Sequence, residues 1–297
     1  MEISDIKEKR LKSIKNYIAK MPSLSTTVTK VLEICDSPKT SPGDLKRVIS
    51  LDPVLTGQVL MLINSAYYSL HQKVTSLTKA IIMLGLNTVV NLAVSTAVLE
   101  SLDGKETSRS VFMDNFWTHS FCVGVTAKLL AAIKGIPGAD REEYFVAGLL
   151  HDLGKIPLSI CFSSEYRQVL DSAKRKNVPL HRAENIIFGI DHCAVGKMIA
   201  DKWQLSESIN DSLRFHHYWN SRCEKENSQF IEIVSLANIF ANIFEVEPSG
   251  NIYHENTHLT NLLERVGIRQ TELYELRNTV LDEVEKAKIF LLVTKKG

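Results

Sequence analysis

Tyr144-Phe145-Val146-Ala147-Gly148-Leu149-Leu150-His151-Asp152-Leu153-Gly154-Lys155-Ile156-Pro157 is the stretch that decides how this 297-residue chain is read. The apolar run from Phe145 to Leu150 predicts a buried helix, and it ends in an adjacent imidazole and carboxylate. Polar groups at the edge of a core are costly unless they are hydrogen-bonded or ligated. An imidazole beside a carboxylate is a natural donor pair for a borderline-to-hard divalent cation. Gly154 permits a sharp turn, so that neighbouring side chains can converge on one point. Lys155 is expected at the rim of that point, where its ammonium could meet a phosphate. Taken alone, a His-Asp pair reads most simply as an imidazole bonded to a carboxylate in a helix cap.

Other histidines change that reading. His119 lies inside an apolar helical run, Phe116-Trp117-Thr118-His119-Ser120. His192 follows Gly189-Ile190-Asp191 at the expected start of another helix, and His216-His217 close a third after Ile209, Leu213 and Phe215. Five of the nine histidines therefore fall at apolar helix positions or helix ends. His71, His181, His254 and His258 stand in more polar sequence and are read as surface or loop residues.

Outward from this region helical periodicity dominates, and no alternating strand pattern emerges. The expected fold class is all-α, a multi-helical bundle preceded by a helical subdomain. Residues 1–20 form an amphipathic helix with its lysines in solvent, residues 21–105 an N-terminal helical subdomain, residues 106–247 the bundle, and residues 248–297 C-terminal helices. Asp103–Ser108 and Glu247–Asn251 are the breaker-rich boundaries. Ser41-Pro42-Gly43-Asp44 and Asp52-Pro53 are helix starts with a capping side chain and proline at the first helical position. Ala80 to Leu99 carries no charge and could by length cross a bilayer. Its Gly85, Asn87, Thr88, Asn91, Ser95 and Thr96 instead predict two buried helices meeting at Gly85, the second capped by Asn87. The last helix is read as starting at Thr271 without a full capping box. The apolar run Ile289–Val293 should dock on the body or on another subunit.

Composition narrows function. A formal net charge of +1 provides no global field for nucleic acid or an anionic membrane. The five cysteines are scattered with no Cys-x-x-Cys pair, which argues against a disulfide framework or zinc ribbon and fits a reducing cytoplasm. Charged residues from Asp5 to Arg10 occupy the place of a signal-peptide apolar region.

The order Trp-x-His-Ser, His-Asp-x-Gly-Lys, Asp-His-x-x-x-Gly, His-His resembles the HD superfamily of metal-dependent phosphohydrolases. Upstream, Met21-Pro22-Ser23-Leu24, Leu51-Asp52-Pro53-Val54-Leu55, Ile63-Asn64-Ser65-Ala66-Tyr67-Tyr68 and Ala80–Gly85 resemble its HDOD branch, as does Trp203-Gln204-Leu205-Ser206. The resemblance covers roughly residues 20–245 and implies a metal set of His119, His151, Asp152, His192, His216 and His217. It implies one or two divalent transition ions: iron, manganese, nickel or zinc. The sequence also departs from the pattern. Asn238 stands where the closing aspartate is expected, Asn115 where an acid sometimes precedes the first histidine, and Tyr218-Trp219-Asn220 replaces Gly-Tyr-Pro.

Two functions follow from this likeness. One is a regulatory output module of bacterial signalling that keeps a partly degenerate metal site, with signalling proteins or a nucleotide second messenger as partners. The alternative is a metal-dependent phosphohydrolase or phosphodiesterase for a nucleotide or cyclic dinucleotide. There Asp152 and Lys155 would serve catalysis, Lys155 steadying the phosphate under attack by water. Nucleic-acid binding by the lysine-rich first helix or Arg175-Lys176 is the weakest reading.

Overall fold

The computed structural model describes residues 3–35, 40–102, 111–222, 227–244 and 256–294, and among them no strand occurs. The expected boundary segments Asp103–Ser108 and Glu247–Asn251, as well as His254, lie outside the described residues. The helices are α1 (Ile3–Lys20), α2 (Thr26–Cys35), α3 (Pro42–Ile49), α4 (Pro53–Ile63), α5 (Leu77–Leu84), α6 (Leu86–Leu102), α7 (Val111–Ile133), α8 (Arg141–Leu150) and α9 (Lys155–Cys161). They continue as α10 (Ser163–Lys176), α11 (Leu180–Phe188), α12 (His192–Trp203), α13 (Glu207–Phe215), α14 (Ser228–Ile243), α15 (Asn256–Val266), α16 (Gln270–Ala287) and α17 (Ile289–Thr294). A 3-10 turn, Trp219–Arg222, precedes α14.

Local chemistry sets many of the boundaries. Ser41 accepts from the Asp44 amide and Asp44 bonds back to the Ser41 amide, the reciprocal pair expected there. Asp52 accepts from Leu55 N ahead of Pro53. Gly85, at φ 87°, separates α5 from α6 with a bend of 118°. α6 begins at Leu86, however, so Asn87 is not its cap: the side-chain amide of Asn87 donates to Asp140 Oδ1 at 3.0 Å. α16 likewise starts earlier than Thr271, because Glu272 accepts from the Arg269 amide at 2.8 Å.

One apolar core runs from Ile14 to Val293. The helices α2 to α6 pack against a bundle centred on α7, α8 and α14, and α16 lies along α7. The stretch Asn115–Ile133 of α7 is long and apolar enough to cross a membrane by composition, yet 72% of its most apolar window is buried inside the fold. α1 packs on α9 and α12, where Lys202 Nζ reaches the carbonyls of Ile18 and Met21 at 2.6 Å each and so caps the C-terminus of α1. α17 docks on α4 and α6, as its apolar run predicts. Its Phe290 enters a ring cluster with Tyr67, Phe121 and Phe145, at centroid distances of 5.6, 6.3 and 5.1 Å. The paired tyrosines of the Ile63–Tyr68 motif thereby acquire a role: Tyr67 joins this cluster and accepts a hydrogen bond from Lys128, which also pairs with Glu142.

Two glycines set the distance between the helices that carry the site. A Cβ on Gly124 would stand 2.7 Å from Phe145 O, and one on Gly148 would stand 2.7 Å from Gly124 Cα. α7 and α8 therefore touch backbone to backbone, which brings His119, five residues before Gly124, to His151, three after Gly148.

Candidate metal centre

The six residues expected to form a ligand set come together. His119 projects from α7, His151 and Asp152 follow α8, His192 is the first residue of α12, and His216 and His217 follow α13. Asp152 is the hub. Its Oδ2 lies 3.3 Å from His151 Nε2 and 3.6 Å from His119 Nε2, and its Oδ1 lies 3.3 Å from His192 Nε2 and 3.7 Å from His216 Nε2. The ligand atoms of His119, His151 and Asp152 lie within 4.8 Å of one another, as do those of His192, His216 and His217. One carboxylate thus faces two groups of imidazoles.

The outer ring nitrogens show why these rings point inward. His151 Nδ1 is held by Gly148 O at 2.7 Å, His216 Nδ1 by Ser212 O at 3.1 Å, and His192 Nδ1 by the Glu184 carboxylate at 2.6 Å. A ring that donates from Nδ1 presents the lone pair of Nε2 to the centre, the usual arrangement around ligating histidines. Glu184 also accepts from the His192 amide at 2.9 Å, and Tyr166 OH donates to its other oxygen at 3.2 Å.

The cluster is closed. His119, His151, Asp152, His192 and His216 are each at most 2% exposed; only His217 is half-buried. Within it His119 Nε2, His151 Nε2 and Asp152 Oδ1 are buried without a hydrogen-bond partner. Orphaned polar atoms of this kind are costly, and a bound cation would give them a partner. The donor set fits a divalent metal on these grounds.

Electrostatics reinforce the picture. Burial holds the His119 imidazolium down to about 3 and pushes those of His216 and His217 well below the usual range, the last two aided by neighbouring imidazoles. Burial works against ionised Asp152, but His151 and Lys155 prevail and hold its carboxyl well below the ordinary range. Burial also opposes charge on His192, yet Glu184 and Cys193 raise its pKa well above 6.5. For the depressed imidazoles the stabilising contribution is complete above 6.5 and is lost as pH falls toward the folded values. His192 acts in the opposite sense and is outnumbered. The metal-free chain is therefore expected to show a lower urea midpoint at pH 5 than at pH 7.5. A flat profile over that interval would contradict it.

Lys155 is not at a rim: it is 1% exposed, and its Nζ sits 2.5 Å from Asp152 Oδ2. Packing under α1 and α12 draws it inward, and the carboxylate receives its charge. His181 is not a surface residue. It is 4% exposed, stacks on His217 at 4.4 Å, and has a pKa lowered to about 3 by burial and by His192. Its polar neighbours Arg182 and Asn185 hide the fact that α11 turns this face toward the centre. Glu184, Tyr166 and Cys193, whose Sγ lies 3.8 Å from His216 Nε2, were also not singled out from sequence. Asn238 lies on α14, buried, and its Oδ1 accepts from Asn242 Nδ2 at 3.1 Å. An amide therefore occupies the position where a carboxylate would add charge.

The profile of the HDOD domain family matches residues 21–219. The chain belongs to the HDOD family. An uncharacterized protein of Treponema pallidum is 25% identical over 80% of this HDOD chain and 45% of its own length. Ribonuclease Y of Mycoplasma mycoides is 29% identical over 52% of this chain and 29% of its own length. The chain thus spans less than half the length of the curated relatives it matches. Among solved structures, an HDOD domain protein of unknown function from Geobacter sulfurreducens superposes with a TM-score of 0.74, at 23% identity, covering 95% of this chain and 98% of that one. A proposed signal transduction protein from Marinobacter aquaeolei gives 0.74 at 18% identity, over 99% of this chain and 67% of that one. These likenesses establish an all-helical HDOD fold; that the His/Asp cluster could hold a metal rests on the chain's own geometry.

Proposed function

We propose that this HDOD chain is a signalling output module whose His/Asp centre holds a divalent transition metal for structure or ligand sensing, without efficient turnover of phosphodiesters. The partners in this reading are signalling proteins or a nucleotide second messenger. His119, His151 and Asp152 would hold one ion, and His192, His216 and His217 a second or none. Imidazole-rich sets suit iron, nickel or zinc, and Asp152 also admits manganese. A bound ion would supply Lewis-acid chemistry.

The observation that carries the proposal is the pairing of Asp152 with Lys155. A two-metal hydrolase must offset the repulsion between two dications with nearby negative charge. Here the central carboxylate already faces a buried ammonium, and Asn238 contributes none. Glu184 is occupied behind His192. Burial of all but His217 also denies a phosphodiester direct access to the cluster.

A second reading, hydrolysis, draws support from the ribonuclease among the relatives and from six donors gathered in one place. The test is an assay with manganese or ferrous iron on a cyclic dinucleotide and on nucleotides, using the parent, His151→Ala and Asn238→Asp. The expected result is negligible turnover by the parent, with activity appearing only in Asn238→Asp. Robust hydrolysis by the parent, abolished in His151→Ala, would establish the second reading instead.

A further inference from the structure

Beside the His192 and His216 end of the centre lies a separate cavity of about 410 Å³, within the size range of small-molecule sites. Gly189, Asp191, Arg214, Phe215 and Tyr218 are among its walls. Arg214 is only partly exposed, and among the described residues its ion-pair partner is Asp191 Oδ1 at 3.9 Å, beyond hydrogen-bond distance. A guanidinium carries five N–H donors, so nearly all of this donor capacity is unspent. A second cation reaches the same wall from α1. The side chain of Lys7 lies across Gly189 so closely that a Cβ there would stand 2.8 Å from Lys7 Cδ and 2.9 Å from Cε. Lys7 is exposed and forms no ion pair among the described residues.

The one carboxylate in the wall does not compete for these cations on equal terms. Asp191 caps α12 through the Ala194 amide at 2.9 Å, and it accepts from Asn185 Nδ2 at 2.7 Å and Tyr218 OH at 2.6 Å. Both its oxygens are occupied. The cavity therefore presents unspent guanidinium donors and a cation at its edge, while its one carboxylate is engaged by other donors.

We propose that this cavity is an anion-binding site distinct from the His/Asp centre, taking a phosphoryl or carboxylate group between Arg214 and Lys7. Arginine is suited to this work because its planar fork matches two oxygens of such a group. The lysine contributes a point charge from α1, which also packs on α9 and α12 and whose Arg10 bonds to Ile187 O of α11. An occupant would therefore tie α1 to the start of α12 and the end of α13, the segments that carry His192 and His216.

The experiment is titration of the full metal-free chain, in chelator, with inorganic phosphate and separately with acetate, followed by calorimetry and by phosphorus NMR for phosphate. The variants are Arg214→Met, Lys7→Met, the double variant, and Lys15→Met as an exposed α1 lysine away from the cavity. The expected result is saturable binding that weakens at least about tenfold in each cavity variant, a loss of about 1.4 kcal/mol, and is unchanged in Lys15→Met. Tighter binding of phosphate than acetate identifies a phosphoryl site, and the reverse a carboxylate site. Failure of both anions to bind, or equal affinity in parent and Arg214→Met, overturns the proposal. So does binding that appears only when metal is added, since the anion would then sit on the ion. The metal reading stands or falls separately, because chelator is present throughout.

Discussion

Asp152→Ala is expected to destabilise the metal-free chain by about 3–5 kcal/mol, the range for breaking a buried ion pair by removing one partner. Both members of the pair are 1% exposed, and their charged atoms stand 2.5 Å apart. Without the carboxylate, the Lys155 ammonium loses its ion-pair partner in a cluster where burial keeps His119, His216 and His217 neutral. The double variant Asp152→Ala/Lys155→Met removes the stranded charge and should recover a large part of the loss. Urea unfolding in chelator measures both. A single variant within 1 kcal/mol of the parent, or a double variant as unstable as the single, would refute this account. Metal content provides a second reading of the same variants: Asp152→Ala and His151→Ala should each bind less metal, and added metal should raise their melting temperature less than the parent's.

Gly154→Ala should have an effect of similar size for a different reason. A Cβ at Gly154 would stand 1.9 Å from His192 O and 2.6 Å from Gly196 N. Both are backbone atoms of α12, so no side-chain rotation relieves the clash. The start of α12 must retreat, taking His192 away from its 3.3 Å approach to Asp152. Overpacking of this kind costs up to about 3 kcal/mol, occasionally more, and metal retention should fall with stability. Gly57→Ala serves as the comparison. Gly57 lies within α4 with nothing inside 4 Å of an added Cβ, and the change should stabilise by roughly 0.5–1 kcal/mol. Equal melting of Gly154→Ala and the parent would show that α12 is not held by this contact.

The sequence made the helices legible because their signals are local. A capping serine, a proline at the first helical position and a glycine at positive φ act within a few residues, and α3, α4 and α5 end or begin where those residues stand. The six-residue centre was legible because its members fall at helix ends in apolar surroundings. What stayed hidden depends on how helices face one another. Glu184 meets His192 only because the chain reverses at Gly189, in the left-handed region at φ 79°, between α11 and α12. His181 is buried only because α11 packs that face toward His217. Lys155 turned inward for the same reason, since nothing in His-Asp-x-Gly-Lys tells whether its ammonium meets solvent or its own neighbouring carboxylate.

The ring cluster around Phe290 bears on how the chain must be made. Tyr67, Phe121 and Phe145 are synthesised long before their fourth partner, so a nascent chain on the ribosome holds an aromatic surface with one side unfilled until α17 emerges. Contacts so distant in sequence make folding slow, and a greasy surface left open in the meantime invites aggregation. Chaperone dependence during synthesis should therefore track the last helix, and a stalled or truncated product lacking α17 should be the species that chaperones retain.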